Sequence, residues 1–217
     1  MTLLLDPDRV LALSYVPSRS RGAVEALWRL DVAFGSVLAT GREEMISRIR
    51  LAWWREALEK LDGGSPPAEP VLEALARQVL PRSISGAELA EMEQGWARVL
   101  PSEPLTPEVL AGYARDRGGR LFRYSARLLG GSEEVAALGG EAWALVDLAR
   151  HSGNADDAAA ALGALRRVEV PSSWPRPLRP LGMLAMLALR DLGRSEWEPQ
   201  GSPRRMLRML RHRLTGH

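Results

Sequence analysis

Two adjacent tryptophans, Trp53 and Trp54, lie inside Arg48-Ile-Arg-Leu-Ala-Trp-Trp-Arg-Glu-Ala-Leu58, flanked by Arg50 and Arg55. On a helix, neighbours sit about 100° apart, so the pair covers a broad arc rather than a narrow stripe. Such an arc suits a helix that packs on one side and lines a cavity on the other. It equally suits ordinary core packing with an indole N–H bonded to a neighbour. The arginine forks match phosphate or carboxylate. Their five-residue spacing does not put Arg50 and Arg55 cleanly on one face, and both can pair with Glu44, Glu56 or Glu59. Asp147 and Arg150, one turn apart, read either as an intrahelical ion pair or as ligand-binding groups. Gly118-Gly119 between Arg117 and Arg120 can let backbone approach a phosphate, or can mark a kink or close helix contact.

Other chemistries are excluded by composition. Cysteine is absent, which removes disulfides and thiolate metal sites. His151, His212 and His217 are too few and too scattered for a histidine metal site, and no metal ligand is assigned. The formal net charge is +2 with bases dispersed among acids, so no nucleic-acid partner is expected. Lys60 is the only lysine and Asn154 the only asparagine, a skew that reads as codon bias. No apolar run reaches the roughly 20 residues of a membrane span. The N-terminus lacks a basic region followed by a long apolar core. The expected location is cytoplasmic.

Helical periodicity must position these groups, and no convincing strand pair is found. Asp6-Pro7 starts a short first helix, with Asp as cap and Pro in the first turn. Ser18 or Ser20 can cap a second helix to about residue 38, and Gly41 opens a third that stops at Gly63-Gly64. A short helix ends at Pro81, and Ser85 begins another carrying Leu89, Met92, Trp96 and Val99 inward. After a turn at residues 101–104, Thr106-Pro107 opens a helix to about residue 129. Ser132 caps the next, to about residue 151. An Ala-rich helix follows over 155–167, then an extended loop over 168–175, then helices at 178–192 and 203–214. The pattern is an all-α, single-domain helical bundle spanning 1–217 with one core and 46% hydrophobic residues. The last helix carries five arginines beside Met206, Leu207, Met209, Leu210 and Leu214. That mixture suits an anionic membrane surface, peripheral to the inner membrane, or a terminal helix with a solvated basic face.

The order of segments resembles the squalene/phytoene synthase family. Leu11-Ala-Leu-Ser-Tyr15 comes first, then Ala26-Leu-Trp-Arg-Leu-Asp31, then the Trp53-Trp54 segment. Pro70-Val-Leu-Glu-Ala-Leu-Ala76, Tyr113 before Gly118-Gly119, and Ala142-Trp-Ala-Leu-Val-Asp-Leu-Ala-Arg150 follow. The likeness is greatest to the divergent branch that includes complex I assembly factors. It implies the isoprenoid (terpenoid) synthase bundle around a large apolar cavity, with Tyr15, Asp31, Arg50, Trp53, Trp54, Tyr113, Asp147 and Arg150 as substrate-binding candidates. Active members join two prenyl diphosphates, using two acidic motifs on facing helices to hold Mg²⁺, which neutralises the departing diphosphate.

Both motifs depart from that pattern here. Ala33 and Val37 stand at the first acidic pair, with Asp31 about half a turn away from the expected face. At the second, Arg150 is present but His151, Asn154 and Ala155 replace the acids, and Asp156-Asp157 lies just beyond. The expected function is a non-catalytic, isoprenoid-binding member without cofactor, or one that assists respiratory complex I assembly. The alternative is an active prenyltransferase with Mg²⁺ held by the displaced acids Asp31, Asp147, Asp156 and Asp157. The partners implied are a prenyl diphosphate or other isoprenoid lipid and, through the last helix, a membrane surface.

Overall fold

The computed structural model describes residues 4–41, 43–100, 104–194 and 196–217, and these are helical with no strand among them. Residues 101–103 of the turn expected at 101–104 lie outside the described residues. The helices are α1 Pro7–Ser14, α2 Ser18–Thr40, α3 Glu44–Lys60, α4 Pro70–Gln78, α5 Gly86–Ala90 and α6 Glu93–Ala97. They continue with α7 Pro107–Tyr113, α8 Arg120–Leu129, α9 Glu133–His151, α10 Ala155–Leu165, α11 Arg179–Leu192 and α12 Pro203–Thr215.

Most starts follow local chemistry. The Asp6 carboxylate accepts from the Arg9 N–H, and Pro7 occupies the first turn of α1. Ser85 and Glu88 form a reciprocal capping box at α5. Thr106, Ser132 and Asn154 cap α7, α9 and α10 through their side chains. The start of α2 differs from expectation. Pro17 stands at the cap, and the Ser20 hydroxyl instead donates to the Leu128 carbonyl at 2.9 Å, tying α2 to α8. The helix expected from Ser85 to Val99 is split between α5 and α6 at Glu91-Met92.

Between α7 and α8 the rod passes through a π turn, Ala114–Gly119, without leaving helical dihedrals. A π insertion adds residues to one turn and re-aims the side chains that flank it. Here Tyr113, Asp116 and Arg117 all become buried. Gly118 makes the turn possible. A Cβ there would lie 2.0 Å from the Gly140 carbonyl oxygen, and a Cβ at Gly140 would lie 2.1 Å from the Gly118 oxygen. Only two glycines allow this backbone-to-backbone approach of α9 to the π turn.

Helix α9 is the axis of the bundle, packed against the π turn, α8, α10 and α11. The main core includes Leu27, Trp28, Leu30, Phe34, Leu51, Trp54, Leu72, Phe122 and Leu181. A smaller cluster of short side chains, Ala142, Ala149, Ala161 and Ala188 with Leu145 and Leu165, holds α9, α10 and α11 close.

Helix α12 closes the molecule against its beginning. The buried Arg205 guanidinium donates to Asp8 of α1 at 2.9 Å and to both oxygens of Asp191 of α11 at 2.8 and 2.7 Å. Arg179 donates to the carbonyls of Arg213, Leu214 and Thr215, satisfying the last turn of α12. On the outward side Arg204, Leu207, Arg208, Arg211 and Leu214 are exposed. No helix among the described residues is long and apolar enough to cross a membrane.

Candidate functional site

Four helical segments deliver charge to one interior point, and two more bring an indole and a phenol. Asp31 of α2 is fully buried. Arg117 of the π turn reaches it with Nε at 2.8 Å from Oδ1 and Nη2 at 3.0 Å from Oδ2, a bidentate fork. The same Nη2 donates to Asp147 Oδ2 of α9 at 2.7 Å, and Nη1 donates to the Tyr113 hydroxyl. Arg9 of α1 adds a bond from Nη1 to Asp31 Oδ2 at 3.1 Å, and Trp96 Nε1 of α6 donates to Asp31 Oδ1 at 3.1 Å. Asp31 therefore accepts four hydrogen bonds. The Arg9 Nε also lies 2.6 Å from Asp6 Oδ2, an ion pair without hydrogen-bond alignment.

Aromatic faces enclose the cations. The Arg117 guanidinium sits 4.0 Å from the Trp96 ring centre and 4.8 Å from Trp143, and Arg9 sits 4.7 Å from Trp143. Burial alone would raise the Asp147 carboxyl. The Arg117 guanidinium, the His151 hydrogen bond and Arg9 overcome that and hold it well below the usual carboxylate range. Burial likewise opposes charge on Arg117, but Asp31, Tyr113 and Asp147 outweigh it. The phenol of Tyr113 is pushed far up, mainly by burial. At the outer end, His151 Nδ1 lies 2.8 Å from the Asp147 carbonyl oxygen and 3.4 Å from its Oδ1. The bond to Asp147 raises the His151 pKa against the effect of burial.

This cluster forms the inner end of a cavity of ≈ 580 Å³. That is within the roughly 300–1,000 Å³ typical of ligand pockets. Val32, Leu38, Val99, Leu105 and Leu148 supply apolar wall, and Ser36, His151, Ser152, Asp157 and Gln200 supply further polar groups. Gly35 keeps the wall thin: a Cβ there would touch the Trp96 ring at 3.0 Å.

Of the eight candidates read from the sequence, Asp31, Tyr113 and Asp147 line this cavity. The other five lie elsewhere. Trp54 is buried in the main core, edge-on to Phe34 at 6.0 Å. Trp53 is 47% exposed and borders a separate hollow of ≈ 300 Å³ with Glu56, Lys60 and Pro67. Arg50 is exposed on α3. Tyr15 is 36% exposed, with the Arg213 guanidinium 5.5 Å above its ring. Arg150 does not pair with Asp147; it donates to Asp191 at 2.9 Å and to the Glu198 carbonyl, behind the cavity. Asp31 lines the cavity, whereas Ala33 and Val37, the positions expected for the first acidic pair, are buried in the main core. Of the four displaced acids, Asp31, Asp147 and Asp157 line the cavity, whereas Asp156 is exposed in the first turn of α10. Arg9, Trp96 and Arg117 were not singled out as site residues. The available signal for Arg117 was its placement four residues after Tyr113, beside Gly118-Gly119.

Residues 5–174 match the family model described as squalene/phytoene synthase. The chain belongs to the squalene/phytoene synthase family. A crystal structure of a dehydrosqualene synthase in complex with ligand matches with a TM-score of 0.51 at 20% identity. The match covers 85% of this chain and 68% of that one. At that identity it shows the shared helical fold alone. A search of curated proteins returns no match.

The residues present do not fit the Mg²⁺ that squalene/phytoene synthase chemistry implies. Octahedral Mg²⁺ needs carboxylate oxygens with open lone pairs, plus room for water. Both oxygens of Asp31 and Asp147 Oδ2 are committed to arginine or indole donors. Among the described residues, no group of three or more Asp, Glu or His side chains could hold a metal. The Arg117 guanidinium itself lies between Asp31 of α2 and Asp147 of α9.

Proposed function

We propose that this member of the squalene/phytoene synthase family is a non-catalytic, isoprenoid-binding bundle. The observation that supports it is the Arg117 guanidinium, ion-paired to both Asp31 and Asp147 in the cavity floor. Ionising a prenyl diphosphate demands charge stabilisation aimed at the departing group. Here the cationic capacity of the floor is spent on carboxylates of the protein itself. The apolar wall is retained, and with it the means to hold a prenyl chain. A role in complex I assembly, implied by the resemblance alone, draws no support from the site.

The alternative, a prenyltransferase with displaced acids, draws support from the clustering of Asp31, Asp147 and Asp157 at one cavity. Diphosphate release separates the two readings. Purified protein is incubated with farnesyl or geranylgeranyl diphosphate, Mg²⁺ or Mn²⁺, and NADPH. No release above the uncatalysed background is expected. Metal-dependent turnover that disappears in Asp157→Asn would establish the enzyme reading instead.

A further inference from the structure

We infer that the cavity selects its isoprenoid by an uncharged, hydrogen-bond-donating head, an alcohol, in preference to a diphosphate; this rests on the reading of the cavity as an isoprenoid site. Among the described lining residues four carboxylates, Asp6, Asp31, Asp147 and Asp157, face two guanidiniums, Arg9 and Arg117. Both guanidiniums are already held by those carboxylates: Arg117 by Asp31 and Asp147, Arg9 by Asp31 and Asp6. The lining therefore carries two negative charges in surplus, or one when His151 is protonated. A diphosphate would bring several more into a partly enclosed space, where the low effective dielectric strengthens repulsion. Metal ions held between carboxylates would reverse that balance, but Asp31 is saturated by four donors and Asp147 is engaged by Arg117 and His151.

An uncharged head meets no such penalty, and the polar groups left over favour a donor. The Asp157 carboxylate forms no ion pair among the described residues while its backbone N–H is taken by Asn154. The Ser36 hydroxyl donates to the Ala33 carbonyl at 2.7 Å, so it offers the cavity its lone pairs. An alcohol O–H can donate to either acceptor. An ether oxygen, with no proton to give, leaves both unanswered. Leu38, Val99, Leu105 and Leu148 then receive the apolar tail.

The test is calorimetric titration of the full chain with farnesol, farnesyl methyl ether and farnesyl diphosphate, each with and without Mg²⁺. Farnesol is expected to bind at least about tenfold more tightly than the diphosphate, about 1.4 kcal/mol. It is also expected to bind more tightly than the ether, and Asp157→Asn should narrow both gaps. Diphosphate binding as tight as that of farnesol, in either condition, overturns the head-group assignment while leaving the isoprenoid site intact. Equal binding of ether and alcohol overturns its donor component. Binding of none of the three rejects the isoprenoid site itself, and this assignment with it.

Discussion

Removing the Arg117 side chain would leave the buried Asp31 and the partly buried Asp147 without their shared guanidinium. Asp31 would keep Arg9 and Trp96, and Asp147 would keep His151, but the bidentate fork and the bridge between α2 and α9 would go. Breaking a buried ion pair from one side costs about 3–5 kcal/mol. Arg117→Met is expected to lower unfolding stability by that amount in urea titration, and a loss under about 1 kcal/mol would contradict the structure. Arg117→Lys should recover only part, because an ammonium cannot reproduce two parallel bonds to one carboxylate. The outer residue of the cluster reports on the same charge. His151 titrates above its ordinary value because it is bonded to Asp147. The sign is that of a base gaining a partner: its contribution is full below the unfolded value near pH 6.5 and fades as pH rises through the folded value. Asp147→Asn is therefore expected to lower the His151 pKa toward 6.5 in an NMR titration, whereas an unmoved pKa would mean that the bond is absent. Asp31 and Asp147 were legible as residues, since they stand in segments that resemble the family. Their partner was not, because Arg117 lies 86 positions from Asp31 and its place beside Gly118-Gly119 does not say which carboxylate it meets.

The elements were easier to read where a side chain caps its own helix. Asp6, Ser85, Thr106 and Ser132 all act within three residues, and their spacing announces it. Ser18 and Ser20 announced a cap too, but the Ser20 hydroxyl is claimed by α8. The π turn was hidden for a different reason. A continuous helical pattern over 107–129 does not reveal one widened turn, and Gly118-Gly119 signals only that something comes close. What comes close is Gly140, so the crossing is set by two facing glycines, with the Ala144 and Phe122 Cβ atoms beside them. Gly140→Ala is expected to push α9 away from the π turn and cost about 1–3 kcal/mol, the range for an overpacked interior. Thermal unfolding checks it, and a variant as stable as the parent would show that the helices can separate freely. Ser85→Ala, which removes one half of the capping box, should cost only about 1 kcal/mol.

For the molecule as a whole, the all-α class followed from periodicity and composition, whereas the docking of α12 did not. Its arginines looked alike in sequence, yet Arg205 is buried between Asp8 and Asp191 while Arg204, Arg208 and Arg211 face outward. His212 on the same helix is buried against Trp174, with neither ring nitrogen hydrogen-bonded. Burial above all, with the positive charge of Arg179 added to it, lowers its pKa. A histidine depressed in the folded state binds its proton more readily when unfolded. Stability is therefore fully present above pH 6.5 and declines as pH falls from there toward the folded value. His212→Leu is expected to flatten the fall of Tm between pH 7 and pH 5, and an unchanged slope would place the acid sensitivity elsewhere.

The bond from Arg205 to Asp8 spans 197 positions of chain. A ribosome adding about 5–20 residues per second finishes that interval in about 10–40 s. Through that time Asp8 lacks its native partner Arg205, and its neighbour Arg9 must find Asp31 with α1 still unclasped by α12. The first helix of the growing chain thus waits unclasped for almost the whole of synthesis, an interval in which a chaperone can engage it.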